Sequence, residues 1–126
     1  MKRLTMMVLG GLLLTAFTLF SSLDDVVSAL KTGNIDQIAK YFDNTVEITM
    51  PDKSNTYSKS QAELVLKDFF ALNTPKSFEV QHKGENNGSK YCIGILATKT
   101  GSFRTTVYMK QKGDKQVLQE LSFENN

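Results

Sequence analysis

The fold of this chain is decided by its C-terminal stretch, which reads KSFEVQHKGENNGSKYCIGILATKTGSFRTTVYMKQKGDKQVLQELSF over residues 76–123. Apolar and polar residues alternate here with a period of two, which is typical of half-buried β-strands. Turn-forming residues interrupt the alternation at Asn87-Gly88, Thr100-Gly101 and Lys112-Gly113-Asp114. The stretch therefore predicts four consecutive strands joined by tight turns.

The segment before this stretch is dominated by helical patterns. Residues 23–42 place apolar side chains at helical spacing and are broken at Gly33-Asn34, which predicts two short helices in one bent arm. Residues 46–50 alternate as a strand, and residues 56–58 predict a brief returning strand. A capping box at Ser60-Gln61-Ala62-Glu63 begins a third helix.

Together these elements predict an α+β domain, in which N-terminal helices pack on a strongly curved antiparallel sheet of about four to six strands. Helices and curved sheet would enclose a cone-shaped pocket. Its predicted lining is apolar: Ile48, Met50, Val65, Phe69, Phe78, Ile93, Ile95, Val107 and Leu121. The other sheet face mixes polar residues with Leu96, Tyr108 and Leu118, which predicts a homodimer contact on that outer face.

The N-terminus has the composition of a secretory signal. Lys2 and Arg3 precede an apolar run from Leu4 to Phe20, as in a signal peptide. We predict a signal peptide over residues 1–22 and a domain over residues 23–126, hence an exported protein in the periplasm or outside the cell. If the leader is not cleaved, it remains as an N-terminal membrane anchor.

Charge and cysteine content exclude several classes of function. The chain has 15 basic and 13 acidic residues, and two of the basic ones lie in the leader, so the predicted domain is neutral. Nothing in its charge favours nucleic acid. One cysteine and one histidine cannot form a Cys/His metal site within one chain. Cys92, inside an apolar strand, is interpreted as a buried core residue, and no metal or cofactor is predicted.

Several phrases resemble the nuclear transport factor 2-like superfamily, which has a cystatin-like α+β fold. They are ALKTGNID at residues 29–36 and YFDNTVEI at residues 41–48, followed by Pro51. The order of the later helix and strands also matches, so the resemblance extends from Leu23 to Phe123. The chain is most similar to an exported bacterial family of unknown function in this superfamily. The resemblance implies the fold, but this fold hosts enzymes, ligand carriers and dimerisation modules.

The resemblance also identifies positions at which catalysis can be examined. Members similar to steroid isomerases have a carboxylate directly before the strand-ending proline, where this chain has Met50, and Asp52 lies beyond Pro51. A thioether cannot accept a proton. Members similar to dehydratases use a pocket histidine, and His82 is the one histidine here. No catalytic residue is assigned, and His82 is retained as the candidate base.

The candidate ligand-binding residues are Tyr41, Met50, Phe69, His82 and Tyr91. In a regular strand, His82 shares the phase of Phe78 and points to the helix-covered side. The competing interpretations are a solvated histidine near a turn and tyrosines that pack at the rim of the core.

The predicted function is non-catalytic binding of a small apolar ligand or an envelope protein partner, since the pocket lining has few ionisable groups. One alternative is an isomerase or hydro-lyase that uses His82 in the pocket. The other is a structural dimerisation module whose cone is filled by side chains.

Overall fold

The computed structural model describes residues 21–126. In chain order they form helix α1 (Ser22–Thr32), helix α2 (Ile35–Ala39), strand β1 (Phe42–Met50), strand β2 (Lys53–Ser58), helix α3 (Lys59–Leu72), and strands β3 (Pro75–Asn86), β4 (Ser89–Thr98), β5 (Gly101–Lys112) and β6 (Lys115–Asn125). The predicted signal peptide lies outside these residues except for Ser21 and Ser22, and its boundary with the domain stays a prediction.

The six strands form one curved sheet in the order β2-β1-β6-β5-β4-β3. Strand β1 pairs with β6 in parallel, and all the other neighbouring strands within residues 21–126 pair antiparallel. The hairpin of β1 and β2 thereby extends the sheet beyond β6, the last strand of the chain. The helices cover one face of the sheet. The predicted α+β fold with helices on a curved sheet is confirmed.

The longer helices begin slightly earlier than their sequence patterns predict. Ser21 caps α1, since its hydroxyl accepts a hydrogen bond from the Asp24 backbone N–H at 3.2 Å and Asp24 completes the capping box. Ser58 caps α3 in the same way with Gln61, two residues before the predicted cap. A serine followed three residues later by an acid or amide recurs in this sequence, so the pattern alone does not fix the first residue.

The core lies between the helices and the inner face of the sheet. Its fully buried large side chains come from every layer: Val26, Leu30, Ile38, Val46, Ile48, Leu66, Leu96, Val107, Met109, Leu118, Leu121 and Phe123. Among residues 21–126, no helix has the length and hydropathy that crossing a membrane requires.

The prediction for the two faces of β4 is wrong. Cys92 and Leu96 are fully buried against the helices, so the intervening residues Ile93 and Ile95 lie on the outer face. Both alternating sets of side chains on this strand are apolar, so alternation alone does not show which set faces the helices. Gly94 belongs to the buried set. A Cβ at Gly94 would lie 2.7 Å from the Phe78 ring, so glycine at this inner position leaves room for that ring.

Register shifts account for two further errors. A shift between Val80 and His82 makes His82 the cross-strand partner of Ile93, so the imidazole lies on the outer face instead of the helix-covered side. A second shift lies between Tyr108 and Met109, where β5 pairs with β6, and it makes Leu118 the partner of Met109. Leu118 is therefore fully buried, whereas the prediction placed it on the outer face. One extra residue in a strand reverses the facing of those that follow.

Candidate functional site

The strongest candidate site is an apolar cleft at the open end of the sheet, which we call the mouth cleft. Its volume is about 350 Å³, and it is lined by Met50, Pro51, Asp52, Lys53, Val65, Asp68, Phe69, Leu72, Asn73 and Phe103. These residues come from the β1–β2 hairpin, from α3 and the residue that follows it, and from β5. Three separate elements thus converge on one space of the size that small ligands occupy.

Local chemistry holds the walls of the mouth cleft in place. Pro51 has no N–H for the ladder, and it ends β1. On the opposite wall, α3 ends at Asn73, whose backbone and side-chain N–H groups both donate to the Phe69 carbonyl, at 2.8 and 3.0 Å. The Thr100 hydroxyl donates to the Asn73 side-chain oxygen and so ties this helix end to the turn between β4 and β5.

The floor of the mouth cleft is aromatic. Phe69 stacks on Phe123 with ring centroids 4.5 Å apart and meets Phe103 edge-on at 5.2 Å. Phe70 meets Phe123 edge-on, with ring centroids 6.1 Å apart. These rings pack between α3 and the sheet, and the space open to a ligand lies beside Phe69 and Phe103, which line the cleft.

Exposed side chains form the rim of the mouth cleft. Leu72 is 75% exposed although it is a large apolar residue. Asp52, Lys53 and Asp68 are also exposed. The ion pairs found within residues 21–126 involve other side chains. The rim therefore presents two carboxylates and one ammonium group beside apolar surface.

Of the five predicted ligand-binding residues, the structure brings Met50 and Phe69 together in the mouth cleft. Both are nearly buried, at 8% and 9% exposure, and form its inner wall. Tyr41 lies beside a different cleft, of about 430 Å³, with Lys40, Lys59 and Lys115. His82 and Tyr91 are near neither cleft.

His82 and Tyr91 form a pair on the outer face of the sheet. The His82 Nε2 atom and the Tyr91 hydroxyl are 3.1 Å apart, and the two rings are tilted with centroids 5.7 Å apart. Gly84 accommodates the tyrosine, since a Cβ there would lie 2.2 Å from its ring. His82 is exposed, so its imidazole does not enter the pocket as an acid–base role there would require.

Tyr41 is held by a carboxylate near the base of the fold. Its hydroxyl donates to Asp25 of α1. That hydrogen bond, together with burial, raises the pKa of Tyr41 to about 12. Because the phenol keeps its proton at neutral pH and is already occupied by Asp25, Tyr41 joins α1 to the start of β1.

The thiol of Cys92 is also outside the mouth cleft. It is fully buried, and burial raises its pKa to about 11, so it stays protonated and unreactive at neutral pH. The described part of the chain holds no group of three or more His, Cys, Asp and Glu side chains placed to bind a metal ion.

Sequence reasoning missed Phe103 and Leu72 as parts of the site, and it left Asp52 in a turn without a role. Phe103 shares the alternation of Thr105 and Val107 on β5, which could have placed it on the inner face. Leu72 follows the apolar stripe of α3 at the helix end, and no sequence signal distinguishes a rim leucine there from a core one.

Comparisons with known proteins identify relatives of this chain. The model of the family described as "Domain of unknown function (DUF4783)" matches residues 23–124. A DUF4783 family protein from Bacteroides uniformis has 30% sequence identity and a TM-score of 0.78, covering 82% of this chain and 95% of its own. One from Bacteroides ovatus has 26% identity and a TM-score of 0.77, covering 81% and 93%.

The fold is shared more widely. A nuclear transport factor 2-like protein of unknown function from Cytophaga hutchinsonii has 12% identity and a TM-score of 0.60, covering 85% of this chain and 91% of its own. At that identity the likeness concerns the fold alone. The predicted nuclear transport factor 2-like fold is thereby confirmed, as is the predicted relation to a family of unknown function. Comparison with curated proteins gives no match.

Proposed function

We propose that this chain, which belongs to the DUF4783 family, is a non-catalytic binding protein. In this proposal it holds a small apolar ligand in the mouth cleft. Two features of the cleft carry the proposal. Its lining is mainly apolar, and a large apolar side chain at its rim, that of Leu72, is exposed to solvent. An exposed leucine beside a cleft gains a favourable environment when a ligand covers it.

The dimensions of the cleft set the affinity to be expected. A volume of about 350 Å³ lies at the small end of the range for ligand pockets, which is roughly 300–1,000 Å³. Covering about 200 Å² of apolar surface at about 25 cal/mol per Å² stabilises a complex by about 5 kcal/mol. Because association also costs translational and rotational freedom, the Kd of a small probe should be no lower than roughly 0.1–1 mM.

The composition of the mouth cleft favours binding over catalysis. The chain's single imidazole and thiol, those of His82 and Cys92, lie elsewhere. The carboxylates of Asp52 and Asp68 are exposed to solvent at the rim. The alternative of an isomerase or hydro-lyase needs His82 in the pocket, and its position on the outer face argues against that alternative.

Two exposed leucines on one helix provide the test. Leu72 lines the mouth cleft, whereas Leu64, which is 61% exposed, lines a neighbouring cleft beside β2. The fluorescence of 1-naphthalenemethanol is titrated against the protein, which has no tryptophan to interfere. We expect Leu72→Gln to weaken binding roughly three- to tenfold and Leu64→Gln to leave it unchanged.

The outcomes separate the candidate occupants. Equal effects of the two leucine variants would contradict binding in the mouth cleft. Absence of binding, together with absence of any co-purified apolar ligand in native mass spectrometry, would overturn the ligand-carrier proposal. An envelope protein partner would then be the remaining interpretation.

A second candidate function is dimerisation through the outer face of the sheet, favoured by half-buried apolar side chains at its centre. Tyr91, Ile93 and Ile95 on β4 and Tyr108 on β5 are all partly exposed there. The buried aromatic rings between α3 and the sheet also fit a structural dimerisation module, whose interior is filled by side chains. Sedimentation measurements test this: we expect a homodimer that Ile93→Lys dissociates and Thr56→Lys, on the exposed strand β2, does not. A monomer at all concentrations would contradict it.

Export follows from the leader predicted over residues 1–22. The apolar run behind Lys2 and Arg3 supports delivery to the periplasm or the exterior. N-terminal sequencing of protein recovered from outside the cytoplasm is expected to begin near residue 22 or 23. Recovery of the full chain only in the cytoplasm would contradict export, and recovery of the full chain in membranes would indicate an uncleaved anchor.

A further inference from the structure

We propose that the ligand of the mouth cleft is an apolar compound that carries a primary ammonium group. This inference rests on the proposed function and adds the chemical class of the ligand. It is carried by the charges on the rim, where Asp52 and Asp68 stand on opposite walls of the apolar space.

The two carboxylates reach the cleft from independent elements. Asp52 belongs to the turn between β1 and β2, and Asp68 belongs to α3. Within residues 21–126, neither carboxylate has a side-chain hydrogen bond or an ion pair. Asp24, Asp25 and Asp43, in contrast, each have such a partner. Asp52 and Asp68 are therefore free to accept hydrogen bonds from a ligand.

Asp68 has no partner on the helix that carries it. It lies one turn before the C-terminal end of α3, whose last turn has no basic residue, and the ion pairs found within residues 21–126 involve other side chains. A cation bound in the cleft would therefore supply the countercharge that the helix does not.

Lys53 is the opposing charge on the rim. With two aspartates against one lysine, the rim has a formal charge of −1. This charge attracts cations and repels anions, so a cationic ligand should bind best, a neutral one less well and an anionic one least. The apolar body of the ligand would rest on the aromatic floor formed by Phe69 and Phe103, with its ammonium group at the rim beside the two carboxylates.

Solvent limits the size of the preference. Exposed charge pairs contribute about 0.2–1 kcal/mol each, so two carboxylates opposed by one lysine leave the equivalent of about one pair. That corresponds to a preference of roughly 1.4- to fivefold for a cation over a neutral isostere. Added salt weakens the attraction. The preference should therefore shrink at high ionic strength, whereas the apolar part of the affinity should not.

The test compares three probes of similar shape, each a naphthalene with a CH₂ group that carries a different polar end. They are 1-naphthylmethylamine, 1-naphthalenemethanol and the carboxylate 1-naphthaleneacetate, which are cationic, neutral and anionic at neutral pH. Fluorescence titration is expected to rank the amine first and the acetate last. Asp68→Asn should reduce the preference for the amine, and the Asp52→Asn/Asp68→Asn double variant should abolish it while binding of the alcohol is retained. Glu63→Gln is the matched control, because Glu63 is a carboxylate on the same helix that pairs with Lys67.

The outcomes distinguish this inference from the proposed function. If the alcohol binds as tightly as the amine, the ammonium inference is overturned and the apolar-ligand proposal stands. If Glu63→Gln lowers amine binding as much as Asp68→Asn does, the preference comes from the overall charge of the protein, and the inference is again overturned. If none of the three probes binds, both proposals fail.

Discussion

Replacement of Asp43 by asparagine tests how the two halves of the sheet are held together. Asp43, near the start of β1, is 8% exposed. Its Oδ2 atom accepts hydrogen bonds from Lys112 Nζ at 2.8 Å and from Gln119 Nε2 at 3.0 Å, and its Oδ1 atom accepts one from the Asn44 backbone N–H at 2.8 Å. The carboxylate thereby joins β1 to β5 and β6.

The magnitude follows from the pKa. The hydrogen bond from Lys112, followed by that from Gln119, lowers the pKa of Asp43 from 3.8 to about 2. A pKa difference of one corresponds to about 1.4 kcal/mol, so the interaction contributes at most about 2.5 kcal/mol at neutral pH. Because the Lys112 side chain is 47% exposed, screening by solvent reduces this to about 1–2 kcal/mol.

Asp43→Asn should therefore lower the midpoint of thermal unfolding by about 4–12 °C at neutral pH. The loss must depend on pH. A carboxyl whose pKa is lowered by folding stabilises the fold above its unfolded pKa of 3.8, and this stabilisation disappears as the pH falls through about 2. Urea unfolding from neutral pH down to about pH 2.5 should accordingly show the wild type and the variant converging.

Asp114→Asn is the matched control, because Asp114 is exposed in the turn between β5 and β6. Its substitution should change the free energy of unfolding by less than about 0.5 kcal/mol. The reasoning would be refuted by equal losses in the two variants, or by a loss in Asp43→Asn that does not change with pH.

Two further substitutions test the packing and the charges of the sheet. Gly94→Ala should destabilise the fold by about 1–3 kcal/mol in urea unfolding, because its Cβ would lie 2.5 Å from the Glu79 carbonyl oxygen; Gly84→Ala should cost less, since the Tyr91 ring that it meets can rotate, and the reverse order would contradict this. Glu120→Gln should stabilise the protein by about 0.2–1 kcal/mol at neutral pH. Burial and then the nearby Glu47 raise the pKa of Glu120, so its ionised form opposes folding as the pH rises above its ordinary pKa of 4.5. A gain in stability over the wild type that is as large at acidic as at neutral pH would contradict that cause.

The sequence predicted the elements of this fold well because their patterns are local. Alternation over residues 76–123 and the break at Gly33-Asn34 each depend on neighbours along the chain. Gly33 does adopt the left-handed conformation expected of a helix end, with φ 69°, and the Asn34 side chain caps α2. Such features are decided within a few residues and need no knowledge of the rest of the fold.

The candidate site was less predictable because it depends on facing and on contacts between distant segments. His82 was expected in the pocket, but a register shift after Val80 turns it outward, and nothing in the local sequence marks that shift. Ile93 was expected inside because both phases of its strand are apolar. Met50 and Phe69 were placed in the cleft by alternation and helical spacing, whereas Leu72 and Asp68 became rim residues only through the end of α3 meeting the turn between β1 and β2.

The proposal that the mouth cleft holds an apolar ligand is tested most directly by methyl NMR during titration with 1-naphthalenemethanol. The methyl groups that line the cleft belong to Met50, Val65 and Leu72, and we expect their resonances to shift together with one Kd. The methyl groups of Ile93 and Ile95 on the outer face should not move. Shifts confined to the outer face, or no saturable shift at the three cleft residues, would contradict the account.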